Sequence, residues 1–236
     1  MTHARRSEYT NAIRETWLSK MPVDVLVLYV YGGNKGDRPV LKDQNLYLCC
    51  EDQYEKLTIK TCEFLRFCQE KFDFDYLFKI DDDSYVNKTS LLGYEPQGAD
   101  YAGFFKQWGK QEAETYAAGY CYLLSRKAVS VILERKEEPL QWERSGRKSF
   151  EDVMIGVFIF EFNQNNPSSL KLENWKKRKR PPGRFCSPHV INPTGPQGIR
   201  SRYHFRFFDW IEAELIEKRT FLGRIKRRIF KIPVKR

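Results

Sequence analysis

A short apolar and aromatic run, Tyr76 to Ile80, is followed without a break by three carboxylates, Asp81, Asp82 and Asp83. The run reads as a buried strand. Three adjacent like charges repel one another, so the triplet needs a compensating charge, and a hard divalent cation with oxygen ligands supplies one. In an open α/β sheet, ligands gather at the carboxyl ends of strands. A strand that ends in clustered Asp therefore stands where a nucleotide–metal complex would sit. An acidic loop capping the next helix, with Asn87 as N-cap, accounts for the same residues, and the triplet alone divides the two readings evenly.

The surrounding pattern is that of an α/β chain. Val23 to Tyr31 is apolar almost throughout and predicts a strand buried on both faces. Asp52 to Phe72 predicts a helix, with Leu57, Cys62, Leu65, Cys68 and Phe72 near helical spacing. With Tyr76 to Ile80 these form a strand–helix–strand unit, which favours a parallel arrangement. Asp100 to Phe105 and Gly119 to Leu124 are further strand candidates, and Ser125 is placed to cap a helix that begins at Arg126. Ser149 is the expected N-cap of a helix with Glu151 and Asp152 in its first turn. Acids there complement the helix dipole; alternatively, a helix start holds a carboxylate rigidly towards a cleft. Arg5 to Lys20 carries Ile13 and Trp17 on one helical face, and Arg14 could meet a phosphate or simply face solvent. The loop Gly32 to Asp37 lacks the spacing of a phosphate loop.

Composition sets outer limits. A chain of 236 residues with 41% hydrophobic and 15% aromatic content can bury a real core as one domain, with or without an appendage. No stretch approaches 18 apolar residues, the length of a membrane span, and the first residues lack the apolar region of a signal peptide. The net charge of +10 is unevenly spread. Residues 171–236 hold 19 Lys and Arg against 5 Asp and Glu, whereas residues 1–170 hold 22 against 26. The acidic body and the lack of a nucleic-acid motif argue against nucleic acid as a partner. The tail from Lys218 has Phe221, Ile225, Ile229 and Ile232 on one helical side among nine basic residues, which suits an anionic membrane surface or a frayed basic end. None of the six cysteines forms a C-x-x-C pair, so no structural zinc site is expected, and Cys62 and Cys68 read as buried thiols.

Three motifs stand in order: Ala12-Ile13-Arg14-Glu15-Thr16-Trp17, Lys79-Ile80-Asp81-Asp82-Asp83, and Glu151-Asp152-Val153-x-x-Gly156. Asp52-Gln53-Tyr54-Glu55-Lys56-Leu57-Thr58-x-Lys60-Thr61 lies between the first two. From about Arg5 to about Trp210 the chain resembles the β-1,3-galactosyltransferase and β-1,3-N-acetylglucosaminyltransferase family, relatives of the fringe enzymes. The resemblance turns the reading of the acidic triplet towards metal. It implies a GT-A-type nucleotide-sugar transferase fold over residues 1–217, a twisted and mainly parallel sheet flanked by helices, with 218–236 as a basic amphipathic tail.

The implied chemistry is inverting transfer of a hexose from a UDP-sugar to the 3-hydroxyl of an acceptor glycan, with Mn²⁺. By this resemblance Asp83 and His204 ligate the metal, with His189 as alternative to His204. Asp81 and Asp82 lie by ribose and donor sugar, Lys79 and Arg14 belong to the substrate-binding set, Glu151 positions the acceptor, and Asp152 is the base. Such enzymes work at the Golgi membrane; a cytoplasmic protein peripheral to a membrane is the alternative. Asn87-Lys88-Thr89 is a glycosylation sequon expected to stay unmodified, because it stands four residues after Asp83. The chain departs from the family in the few residues before Arg5, where an apolar strand and a membrane anchor are expected. It departs again at Ala117-Ala118-Gly119-Tyr120-Cys121, which has fewer glycines than the family run. A catalytically weak member that binds glycan or membrane is the competing expectation.

Overall fold

The computed structural model describes residues 7–18, 25–82, 84–86, 91, 94–108, 115–139, 141, 150–175 and 186–187. The longest strand described, β7 (Thr115–Ser125), is the centre of a four-stranded sheet with β4 (Tyr76–Ile80), β6 (Tyr101–Gln107) and β8 (Leu172–Asn174), in the order β4-β7-β6-β8. Alternation along β7 explains its near-continuous apolar sequence. Tyr122 and Leu124 enter the main core, and Cys121 and Leu123 enter a second core on the other face.

Three helices supply the main core. They are α2 (Leu57–Lys71), α3 (Arg126–Glu134) and α4 (Glu151–Asn165). Cys62, Leu65, Val129, Ile132, Ile155, Phe158 and Ile159 from these helices join Leu77, Tyr101, Tyr122 and Leu124 from the sheet. Opposite, Trp175 is completely buried and stacks on Phe78. Ser125 caps α3 as expected, its hydroxyl accepting the Ala128 N–H at 3.1 Å. Ser149 lies outside the described residues; Phe150 occupies the N-cap position of α4, and its carbonyl accepts the Met154 N–H.

The sheet is mixed, which corrects the expectation of a mainly parallel one. Among the described strands, β7 pairs antiparallel with both β4 and β6, and β6 and β8 pair in parallel. The cause is the connection from β6 to β7. Seven residues separate Gln107 from Thr115, too few for the dozen or more that a parallel crossover needs.

A smaller sheet has β3 (Asn45–Tyr47) between β1 (Tyr29–Tyr31), parallel to it, and β2 (Val40–Lys42), antiparallel to it. The strand–helix–strand unit is thus split, with β1 and β4 in separate sheets among the described residues. The strand expected from Val23 is also shorter than expected. Tyr29 pairs with Asn45, where β3 begins, and the turn at Asp43 and Gln44 ends the ladder. Asp43 adopts φ +53°, a left-handed conformation that Asp tolerates better than most residues. Leu26, beyond that ladder, is 59% exposed and not buried as the apolar run suggested. At the N-terminus α1 (Ser7–Glu15) is a helix as expected, with Ile13 and Trp17 buried. A final short strand, β9 (Cys186–Ser187), pairs antiparallel with β5 (Tyr85–Val86). No described helix is long and apolar enough to cross a membrane.

Candidate active site

Strand period and helix position bring the motif residues to one place. On β4, Leu77 and Lys79 are buried, so the strand delivers a lysine into the core beneath its carboxyl end. The Lys79 ammonium spends its three donors on three acceptors: Asp81 Oδ1 at 2.6 Å, Gly119 O at 2.5 Å and Glu151 Oε2 at 3.2 Å. Burial by itself lowers the pKa of Lys79, but the Asp81 and Glu151 carboxylates outweigh it, so the lysine stands above its ordinary value and stays charged.

Glu151 is also enclosed. Its Oε1 accepts from Thr61 Oγ1 at 3.2 Å and from the Tyr122 hydroxyl in a short contact. Burial raises the Glu151 pKa, with Lys79 acting against it. Burial and then the Glu151 charge push the Tyr122 phenol far up, which keeps it protonated as the donor. Asp81, Lys79 and Glu151 together carry one net negative charge.

Asp152, the next residue, is half-buried and meets the backbone of β7. Its Oδ2 accepts the Gly119 N–H at 3.0 Å, and its Oδ1 accepts the Val153 N–H at 3.0 Å. Two glycines permit this approach. A Cβ on Gly119 would stand 3.1 Å from Oδ2 of Asp152. A Cβ on Gly156, one turn along α4, would stand 2.4 Å from Tyr116 Cβ and 2.6 Å from the Thr115 carbonyl. The Glu-Asp-Val-x-x-Gly spacing is thus a docking device that seats the start of α4 on the backbone of β7.

Gly119 joins the two halves of the site. Its carbonyl receives Lys79, which holds Asp81, and its N–H holds Asp152. The Asp52 motif supports the same frame: Lys60 and Asp52 form a buried ion pair at 2.8 Å, and Thr61 follows on α2.

Beside Asp81 and Asp82 lies a cleft of about 720 Å³, walled by Val25 to Val30 and by Asp73 to Asp82. Apolar side chains form most of its wall, and Asp73, Asp75, Asp81 and Asp82 line it too. Tyr29, which lines the cleft, has the Arg14 guanidinium of α1 4.4 Å above its ring, and Arg14 also donates to Asn45 Oδ1 at 3.0 Å. Tyr31 is raised by burial first; Arg14 lowers it and Asp82 raises it, which places both charges around one phenol. A broader depression of about 1190 Å³, lined by Gly32 to Lys35 and Cys49 to Glu55, holds none of the expected site residues.

Lys79, Asp81, Glu151 and Asp152 therefore belong to one bonded network, with Asp82 in the wall of the adjoining cleft and Arg14 over the Tyr29 ring. Lys79 and Glu151 differ in kind from the other expected substrate-binding residues. Their side chains are 2% and 3% exposed and touch each other. Thr61, Tyr122 and the backbone of Gly119 were not singled out from sequence. The signal for Tyr122 is a phenol at an inward position of a central strand, where a buried hydroxyl requires a partner. The expected metal ligands Asp83 and His204, and the alternative His189, lie outside the described residues, as do Asn87 and the 218–236 tail. Among the described residues no group of three His, Cys, Asp or Glu side chains could hold a metal ion. Asp81 and Asp82 are oxygen donors of the kind that hard cations take.

Residues 8–100 match the galactosyltransferase family model. The chain is 29% identical over 224 residues to mouse (Mus musculus) "Beta-1,3-galactosyltransferase 6", covering 80% of this chain and 67% of that protein. It is 24% identical over 228 residues to the Arabidopsis thaliana "Probable beta-1,3-galactosyltransferase 13", covering 80% and 62%. It is also 22% identical over 196 residues to the Arabidopsis "Hydroxyproline O-galactosyltransferase GALT2", covering 70% of this chain and 28% of that protein. The family match ends at Asp100, yet the Asp152 motif beyond it folds back onto the matched strand β4 through Glu151 and Lys79. Motifs and relatives point the same way: the chain is similar to the galactosyltransferase family over residues 8–100 and, over most of its length, to relatives named as β-1,3-galactosyltransferases.

Proposed function

We propose that this chain is an inverting glycosyltransferase that moves a hexose, galactose or N-acetylglucosamine, from a UDP-sugar to the 3-hydroxyl of an acceptor glycan. The observation that carries the reading is Gly119, which ties a cleft-side carboxylate, Asp81, and a second carboxylate, Asp152, to one residue of the central strand. Inversion by single displacement needs a base on the acceptor side, away from the departing diphosphate. Asp152 meets that need, because Gly119 lies between it and the Asp81 side.

The cleft is the donor site in this reading. Its volume falls within the roughly 300–1,000 Å³ common for small-molecule pockets. Its apolar walls suit a base and ribose, and its carboxylates suit a diphosphate only in company with a cation. Asp83 and His204 would hold that ion, with Asp81 and Asp82 beside the ribose and the donor sugar. When bound, Mn²⁺ neutralises charge that develops on the leaving diphosphate. Lys79 fixes the Asp81 carboxylate, and Glu151 fixes Lys79. An enzyme of this kind would work at the Golgi membrane, which is the setting that the family resemblance implies.

Calorimetry with UDP and Mn²⁺, followed by transfer assays with UDP-galactose, UDP-N-acetylglucosamine and UDP-glucose, tests the proposal. Asp83→Ala should abolish Mn²⁺-dependent UDP binding. Asp152→Asn should leave that binding near wild type and cut turnover by about 10²–10⁴-fold, the usual worth of a general base. Failure of the unmodified chain to bind UDP with Mn²⁺ would overturn the donor reading. Near-normal turnover in Asp152→Asn would move the base elsewhere, with Glu151 next in line.

A further inference from the structure

Two large aromatic rings stand exposed at the corner of the fold that carries Asp152. Trp108 is 59% and Phe150 38% exposed, and their rings meet at 5.2 Å between centroids with a 47° tilt. Trp108 follows the last residue of β6, and Phe150 directly precedes Glu151 and Asp152. The elements between them are tightly joined. Gln107 pairs with Thr115 at the start of β7, and the close approach of Gly156 presses α4 onto Thr115 and Tyr116. The same stretch of β7 thus fixes the Trp–Phe pair and the Asp152 carboxylate. Tyr116 completes the corner: burial first, and the Asp152 charge second, raise its phenol.

We propose that Trp108 and Phe150 are the platform on which the acceptor sugar stacks, so that its hydroxyl edge meets Asp152. A pyranose has one face of C–H bonds and a rim of hydroxyls. The C–H face suits the negative face of an aromatic ring, and the rim is left to hydrogen-bond a carboxylate. A paired aromatic surface next to an accessible acid supplies both halves of that recognition. A folded protein partner fits less well, because a stable complex buries about 800 Å² on each side, far more than two rings present. This inference rests on the transferase reading for its direction, although the stacking itself needs only a saccharide.

The test uses the full chain with Mn²⁺ and UDP on an array of oligosaccharides that end in galactose, glucose, mannose, xylose or an N-acetylhexosamine. The unmodified chain should retain at least one group of these glycans. Trp108→Ala should weaken that binding about tenfold, the loss expected when a stacking anchor is truncated. Trp108→Phe should restore most of it. UDP affinity, measured by calorimetry, should stay unchanged in both variants, which also checks that they fold. Trp108 is mostly exposed, so its truncation spares the core. Undiminished glycan binding by Trp108→Ala would overturn the platform. So would a chain that binds UDP and retains no glycan. A chain that retains glycans through Trp108 but binds no UDP would support the platform while removing the donor reading.

Discussion

Replacing Lys79 with methionine removes the cation that faces both Asp81 and Glu151 while keeping the length of the stem. Glu151 would be left buried with a charge and no counter-ion. Breaking a buried pair from one side costs about 3–5 kcal/mol, whereas replacing both partners is often close to neutral. Chemical denaturation should therefore show a loss of about that size for Lys79→Met. Glu151→Gln added to it should recover much of the loss, because Thr61 and Tyr122 still have an oxygen to bond. Equal stability of the single and double variants would mean that Glu151 takes up a proton once Lys79 is gone. This arrangement also marks how far residue identity could be read from the sequence. The Lys-x-Asp and Glu-Asp motifs were visible, and Lys79 and Glu151 were expected in the substrate-binding set, but nothing in the sequence paired them with each other. Their contact spans 72 positions, and only the folding of α4 onto β7 brings them together.

At the level of elements, the seat of α4 on β7 depends on Gly156. A methyl group there would enter the space of Tyr116 Cβ and the Thr115 carbonyl, and both belong to the backbone region of a central strand. Gly156→Ala gains roughly 1 kcal/mol in helix propensity. Against that stands overpacking worth typically about 1–3 kcal/mol, at the upper end where backbone must yield. A net fall in thermal midpoint, together with lower turnover, is the expected result; a rise would show that α4 can tilt away freely. The elements themselves were largely legible. Apolar runs found β4, β6 and β7, helical spacing found α2, and the Ser125 cap fixed the start of α3. Strand direction was not legible, because it follows from the length of a connection and not from apolar period. The β2–β3 hairpin was missed as well: its turn uses Asp43 and Gln44 in place of the usual glycine pair.

At the scale of the whole molecule, the described residues put two cores on one sheet, and β7 contributes to both. Asp81 and Asp152 are anchored to that strand through Lys79 and Gly119. Many enzymes lose activity below their melting temperature, because catalytic groups ride on segments that open by themselves. Here the anchoring residue belongs to the central strand, where opening demands loss of both cores. Heat inactivation and heat denaturation should therefore be one event. Residual activity and circular dichroism, followed on the same ramp, should trace a single curve. An activity loss preceding the spectroscopic transition by several degrees would locate the weak point outside β7.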